Sequence, residues 1–412
     1  MIEIYPDLPS ESGLCPRCKH ENNSKKGLYF QGMHVLGNYT CDVCHLAYYA
    51  GLPSGHMTHF PVSFTSDGRY QFFDPVHAAW LANPLIDSMR AKQGIAGVFQ
   101  IYNEIIAEEL LLINCLDSCF GHVFTKVWNV YTEIERHPHR ALAVLIPEQC
   151  KWLLPNSGVE IWSVDLPLKQ FSDRLVGLDT WVRNQFRRFK KVLLHPSYIH
   201  LDHQQMDFEK ILGVKPFDLE KFDQAVPQIT FIWREDRFWL ANRFLNGLYM
   251  FSKKFKLEKI FKPLFLWRQK TLIERLFKIV KNKLSKVNFT VTGLGKTITF
   301  QGHIKDERVT SINFEVEKGW NTIFSQSQVV IAVHGSHMLI PSALAAGFVE
   351  ILPKHKMDHI TEDICRIQPG RLSHFLGRIV DENSSPALVA LHTSSMVQRF
   401  KFVKSNLESK LV

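Results

Sequence analysis

The chain lacks the glycine signatures that most often announce nucleotide binding. No G-x-G-x-x-G follows a stretch of strand character, so the usual dinucleotide fingerprint is missing, and no G-x-x-x-x-G-K-[ST] occurs, which argues against a P-loop NTPase. Also missing are an amino-terminal basic-then-apolar stretch of signal-peptide length and any uninterrupted apolar run near the roughly 20 residues that cross a bilayer. A soluble, cytosolic protein is therefore expected. Cysteine is sparse for 412 residues: eight are present, a density that does not fit a disulfide framework. The net charge is +9, yet residues 251–287 hold twelve lysines and arginines against Glu258 and Glu274. The rest of the chain is close to neutral, so the surface as a whole is not that of a nucleic-acid binder.

Four of the cysteines form two C-x-x-C pairs, Cys15/Cys18 and Cys41/Cys44, with 22 residues between the pairs that include Gly27, Gly32, Gly37 and the strand-like "LYF" and "MHVL". Two such knuckles on facing hairpins bring four thiolates into a tetrahedron, the arrangement Zn2+ prefers, with no position left open for catalysis. A structural zinc ribbon is expected over residues 1–60, although the spacing is slightly long for the pattern and two incidental cysteine pairs would look the same. His20 and His45 flank the knuckles and could replace a cysteine. A ribbon this small cannot bury a core without metal, so its role would be to brace or present a surface beside the larger body.

After Asp74-Pro75, apolar runs alternate with helical periods. Strand character at 109–116, 141–147, 159–164 and 191–196 is interleaved with helical character at 122–136 and 175–189. The alternation restarts with strands at 228–233, 288–293 and 329–333, a helix at 270–284, a short helix at 343–346 and a strand at 348–352. Strands alternating with helices predict parallel sheets. The expected fold class is α/β: two Rossmann-like domains, 61–215 and 216–412, facing across a cleft, with polar residues 201–227 as the connection.

Three turns at carboxyl ends of these strands carry chemistry, and that edge is where open α/β sheets bind ligands. In "NCLDSCFGHVF", His122 falls at a helix start, where the helix end disfavours a protonated ring and suits a general base; a capping or buried structural histidine is the alternative. In "WREDRFW", Arg234 and Arg237 could present planar forks to phosphate oxygens, or be absorbed by Glu235 and Asp236. In "VHGSHM", Gly335 allows close backbone approach, the Ser336 hydroxyl and the following N–H groups could hold a diphosphate, and His334 and His337 add donors. An anion clamp in one domain and a base in the other are what group transfer from a nucleoside-diphosphate donor requires.

The stretches "CFGHVFTKVWNVYTEIER", "ALAVLIPEQCKWLL", "ITFIWREDR" and "FSQSQVVIAVHGSHMLIPSALAAGFVEILP" resemble, in the same order, blocks of glycosyltransferases of the GT-B fold. The nearest likeness is to family sixty-one, which includes plant xylan arabinofuranosyl- and xylosyltransferases. It covers roughly residues 105–355 and leaves the ribbon outside. The resemblance implies that Arg234, His334, Gly335 and Ser336 hold the donor diphosphate. Arg237 and His337 join them by position, and Glu350 could approach the donor ribose or sugar or be structural. Ser336-His337 stands where the family has Ala-Gly. The implied reaction is inverting attack of an acceptor hydroxyl on the anomeric carbon, with His122 as base. No D-x-D occurs, so no catalytic divalent ion is demanded. His195, His200 and His203 are alternative bases or acceptor-site groups.

In "FKLEKIFKPLFLW", Leu257, Ile260, Phe261, Leu264 and Phe265 recur at helical spacing among lysines, with Pro263 expected to interrupt a long helix. Over 251–267 this suits peripheral contact with an anionic membrane, where a lipid-linked acceptor would wait; an acidic glycan acceptor would explain the same charge. The rival classes are a zinc-ribbon nucleic-acid-binding protein, against which no recognition helix or RNA-binding motif appears, and a catalytically inactive transferase-like binding subunit.

Overall fold

The computed structural model of the protein describes residues 1–7, 13–21, 23–199, 201, 205–300, 302–359, 364–365 and 376–408. The chain divides into two units, Met1–Leu201 and Asp202–Val412.

The first unit is built on a six-stranded sheet in the order Ile2–Tyr5, Lys191–Leu194, Glu109–Asn114, Leu142–Pro147, Glu160–Asp165, Val98–Tyr102. The inner four strands are parallel and the two outer ones antiparallel. "LLLI" and "LAVLIP" are unbroken apolar runs because their strands are covered on both faces. The helix Phe120–Arg136 buries Val123, Phe124, Val127, Val130 and Tyr131, one stripe of a 3.6-residue period. The outer strands escape sequence reading because each is bonded on one side only and carries no apolar run.

A second, antiparallel sheet runs Ser24–Gln31, His34–Thr40, Ala47–Gly51, Ser63–Phe64, Gln71–Phe72 and bears the cysteine knuckles. It is not a pendant module. Leu28, Phe30 and Val35 join the core of the main sheet, the Phe30 ring meets Phe186 edge-on at 5.8 Å, and the Phe30 N–H donates to Asp179 Oδ1 at 3.0 Å. Its other face is closed by the helix Asn83–Arg90 through Leu36, Phe64, Leu85 and Ile86.

The second unit holds an all-parallel sheet in the order Lys305–Val309, Asn288–Leu294, Gln228–Arg234, Val329–Val333, Gly347–Leu352, Gly377–Asp381. Lys305–Val309 gives no apolar signal: it is an edge strand held by Arg308, which is buried, paired with Asp306 and packed over the Trp233 and Phe300 rings. Three expectations shift. The helix foreseen at 270–284 runs from Glu258 to Lys283, because Pro263 lies in its second turn and removes one hydrogen bond without ending it. The short helix is Leu339–Leu344, with Ala345 already extended. Residues 205–227, expected as a connection, carry the helix Phe208–Leu212 and bury Phe208, Ile211 and Phe222, the last stacked on Phe400 at 3.8 Å.

The protein is thus an α/β chain of two Rossmann-like units with a small four-cysteine sheet at its amino-terminal end. Among the described residues no helix is long and apolar enough to cross a membrane.

Candidate functional site

His122 is the third residue of the helix that Cys119 caps, one turn beyond the end of the central strand Glu109–Asn114. The intervening loop carries Asp117, a carboxylate only 1% exposed. Its Oδ1 lies 3.1 Å from His122 Nδ1 and takes the Cys119 N–H at 3.0 Å, while Oδ2 takes the Lys126 ammonium at 3.0 Å and lies 3.7 Å from His56 Nε2. Lys126 is equally buried and also donates to the Leu116 carbonyl at 2.7 Å. Burial pushes the Asp117 carboxyl upward, but Lys126, His122 and His56 outweigh it and hold the group well below the ordinary carboxylate range. Asp117 is therefore ionised. An anion on Nδ1 favours the His122 tautomer with its lone pair on Nε2, the form a proton acceptor needs.

The ligand atoms of His56, Asp117 and His122 lie within 4.8 Å of one another, close enough to hold a metal ion. Lys126 argues for a different use. Its ammonium, 3.0 Å from Asp117, already supplies the positive charge that a divalent ion would bring and would repel one.

Sequence reasoning missed Asp117, Lys126 and His56. Asp117 stood five residues before His122 in an otherwise small and apolar turn, which is a usable signal. Lys126, one helical turn after His122, reads as a solvent-facing lysine until tertiary packing encloses it.

In the second unit the "WREDR" and "VHGSH" turns meet at the carboxyl ends of neighbouring parallel strands, Gln228–Arg234 and Val329–Val333. Arg237 Nη1 donates to the His334 carbonyl at 2.8 Å, tying one turn to the other. Arg234 grips Asp236 with two bonds of 2.8 Å, and its peptide carbonyl is held by Gln269 at 3.1 Å. Glu235 turns away to Lys262 and Thr297. Burial pushes the Asp236 carboxyl up, and Arg234, Arg237 and His337 more than reverse this, so it stays ionised.

Gly335 has φ 154° and ψ 162°, and a Cβ there would run into the Arg237 guanidinium. Only glycine lets that group lie against this turn. Ser336 and His337 open the single 3-10 turn that follows, and the Met338 N–H returns to the Gly335 carbonyl at 2.8 Å. Enclosure of the His337 ring lowers its proton affinity well below the ordinary histidine value, with Arg234 and Arg237 adding to the effect. His334 Nδ1 lies 2.9 Å from Glu350 Oε1, and Glu350 is wholly buried on the strand Gly347–Leu352. In this geometry Glu350 backs His334 from inside the sheet. The structure brings Arg234, Arg237, His334, Gly335, Ser336, His337 and Glu350 into one cluster.

Among the alternatives, His195 is buried beside Glu133 at 3.6 Å and accepts the Ser197 N–H on Nδ1 at 2.8 Å. Burial, with the chain amino terminus and Arg140 adding, lowers it to about 4, which fits a neutral structural histidine. His200 and His203 lie outside the described residues.

The four ribbon cysteines converge with Sγ atoms within 4.8 Å of one another; Cys15 to Cys44 is 3.6 Å and Cys18 to Cys41 is 3.4 Å. A tetrahedral zinc–thiolate site needs sulfur spacings of about 3.8 Å. The knuckles are internally alike: Lys19 and His45, each just after the second cysteine of its pair, have φ 62° and 56°, and their N–H groups return to the Cys15 and Cys41 carbonyls at 2.9 Å. Burial raises the Cys41 thiol, but the Cys44 and Val43 N–H groups outweigh it and bring it down to about 6. Cys44 is pushed up to about 12, first by burial and then by the neighbouring thiols. Four cysteine sulfurs at this spacing form a donor set that fits zinc as a structural cross-link, the metal taking the place of the thiol protons.

No family model matches the sequence, and no curated protein does. Among solved structures the chain is similar to an ADP-heptose lps heptosyltransferase II of E. coli, at 10% identity over 72% of this chain and 100% of that one, with a TM-score of 0.37. It is also similar to a family 9 glycosyl transferase of Veillonella parvula DSM 2008, at 8% identity over 71% and 97% with a TM-score of 0.36. A third is an iron-containing dodecameric glycosyltransferase of enterotoxigenic E. coli, at 9% identity over 84% and 79% with a TM-score of 0.28.

Proposed function

We propose that the protein is a glycosyltransferase of the GT-B kind, moving a sugar from a nucleoside-diphosphate donor to a hydroxyl of a glycan or lipid-linked acceptor, with inversion and without a catalytic metal. The observation that carries this reading is the Arg237–His334 bond, which ties the turn bearing Arg234 and Arg237 to the glycine turn at the carboxyl edge of one parallel sheet. Fixed cations and N–H groups at that edge suit a pyrophosphate. Arg234, pre-oriented by Asp236 and still 26% exposed, and Arg237 would take the diphosphate oxygens beside Gly335 and Ser336. His337 would contribute as a neutral donor or acceptor, and His334 would be held in orientation by Glu350.

His122 Nε2 would take the acceptor hydroxyl proton. The freed oxygen attacks the anomeric carbon from the face opposite the phosphate, the carbon–oxygen bond to the diphosphate breaks, and its electron pair leaves with the phosphate, where the arginines stabilise it. The ribbon zinc would hold the knuckles together and take no part.

The reading includes cytoplasmic localisation with peripheral membrane contact through 251–267. It is supported by the outward stripe Ile260, Leu264 and Trp267 on the helix Glu258–Lys283 and by exposed Phe251 and Phe255 before it, among Lys253, Lys254, Lys256 and Lys259. Phe265 is buried instead, and Phe261 packs on the core.

Calorimetry with uridine, guanosine, cytidine and adenosine diphosphates tests the donor half: one should bind, and Arg237→Ala should weaken it at least tenfold. His122→Ala should leave that affinity intact and cut transfer by roughly 100-fold or more. Failure of all four nucleotides to bind would refute the reading.

A further inference from the structure

Beside His122 lies a group of aromatic rings that the diphosphate grip and the base do not use. The 3-10 turn Gly55–Thr58 begins where the Gly55 N–H donates to the Pro196 carbonyl at 2.7 Å, and it carries His56 against His122, their ring centroids 4.8 Å apart. His56 also meets Trp80, at 4.9 Å. These two steps put the Trp80 and His122 rings within about 10 Å, a distance one hexose ring can span.

Trp80 is held at a fixed attitude. It sits on a single π-helical turn, Ala78–Ala82, a form that recurs at functional positions. The preceding turn is fastened by Asp74, whose side chain accepts the Val76 N–H at 2.9 Å. Three rings brace the indole almost at right angles: His56 at 70°, Phe60 at 88° and 5.7 Å, and His77 at 81° and 5.5 Å. Phe60 and His77 are themselves in contact at 3.8 Å. Yet the tryptophan remains 43% exposed. A large aromatic surface braced by three rings and open to water next to a proton acceptor offers a fixed platform on which an apolar ring face can stack. One face of a pyranose is a sheet of C–H groups while its rim is hydroxyls. Stacked on the indole, such a ring would lose its apolar face from water and keep its rim free to reach the base.

We propose that Trp80, braced by Phe60, His77 and His56, is an acceptor subsite that takes a pyranose ring of a glycan by stacking and so delivers a hydroxyl of that glycan to His122. The assignment rests on the glycosyltransferase reading and narrows its acceptor to a carbohydrate.

The test titrates the full-length protein with a panel of neutral oligosaccharides, cello-, manno- and chito-, by saturation-transfer NMR and tryptophan fluorescence, with nucleoside diphosphate binding measured in parallel. At least one oligosaccharide is expected to bind. Trp80→Ala should weaken it tenfold or more, Trp80→Phe should keep it within about threefold, and Trp267→Phe, at an exposed tryptophan of the second unit, should not change it. In turnover, Trp80→Ala should raise the acceptor KM by more than it lowers kcat. Nucleotide affinity should be the same in all variants, and an unchanged melting temperature of the first unit's transition shows that Trp80→Ala is folded. Nucleotide binding with no oligosaccharide bound, or with Trp80→Ala binding as tightly as the parent, overturns the subsite and leaves the donor reading standing. Loss of both kinds of binding in the parent overturns the glycosyltransferase reading itself.

Discussion

Asp117 shows how a charged residue can be both buried and paired. Its carboxylate would be expensive to enclose alone, and Lys126 offsets that cost with a contact of 3.0 Å. Asp117→Asn removes the negative charge from His122 Nδ1 and leaves Lys126 enclosed without its counter-ion. Transfer should fall by roughly 100-fold or more, and stability by about 3–5 kcal/mol. The double variant Asp117→Asn/Lys126→Met should recover melting temperature and not kcat, a split that a purely structural Asp117 would not produce. The nearby buried imidazoles add a pH dependence. His34 is lowered to about 4 by burial first and Lys126 next, and His195 also lies at about 4. Between pH 6.5 and 4 the unfolded chain takes up these protons and the folded chain does not, so stability falls as pH drops through that window, each histidine removing about 1.4 kcal/mol per pH unit. Thermal melts from pH 7.5 to 4 should decline steadily, and a flat profile would contradict the buried, neutral assignment. The positions of His122, Arg234 and His334 at or just past strand ends were legible because the apolar runs of those strands stop there. His56 and Lys126 were not, because enclosure is a tertiary fact with no local pattern.

At the scale of elements, the parallel strands that carry the candidate site were legible from unbroken apolar runs, and the edge strands were not. Lys305–Val309 is five residues with one buried cation, and Ile2–Tyr5 joins its sheet through antiparallel pairing with Lys191–Leu194, almost two hundred residues away. The helix Glu258–Lys283 is the instructive intermediate case. Its apolar residues point two ways: Phe265, Leu272 and Leu276 enter the core, while Ile260, Leu264 and Trp267 at spacing i, i+4, i+7 stay outside. Two apolar stripes on one helix blur the single amphipathic period that sequence reading looks for. The outer stripe, among lysines, suits the boundary of an anionic bilayer, where apolar insertion and charge attraction add. In vesicle co-sedimentation the protein should bind phosphatidylglycerol-containing bilayers, release in high salt, and ignore purely zwitterionic ones. Ile260→Ser/Trp267→Ser should weaken partitioning at least tenfold without shifting the melting temperature, since neither side chain is buried. Equal binding to neutral vesicles, or no effect of the pair, would remove the membrane assignment.

Among the described residues each unit carries an apolar core on its main sheet, one reaching from Ile4 to Leu194 and the other from Phe222 to Phe400. Each closes around its own mostly parallel sheet, and the chain divides between them at Leu201. Two cores of this kind predict two cooperative transitions in calorimetry rather than one. The cysteine sheet feeds Leu28, Phe30 and Val35 into the first core, so zinc and the first unit should be linked. The residues proposed to grip the diphosphate lie wholly within the second, so a bound nucleotide should raise only that transition, by an amount that grows with the logarithm of its concentration. A strong zinc chelator should therefore lower one transition, a nucleoside diphosphate should raise the other, and the two shifts should add without interaction. Cys41→Ser should mimic the chelator and abolish its further effect. A single transition moved by both reagents would show that the cores unfold together, and a chelator without effect would show that the four thiols hold no metal that matters to the fold.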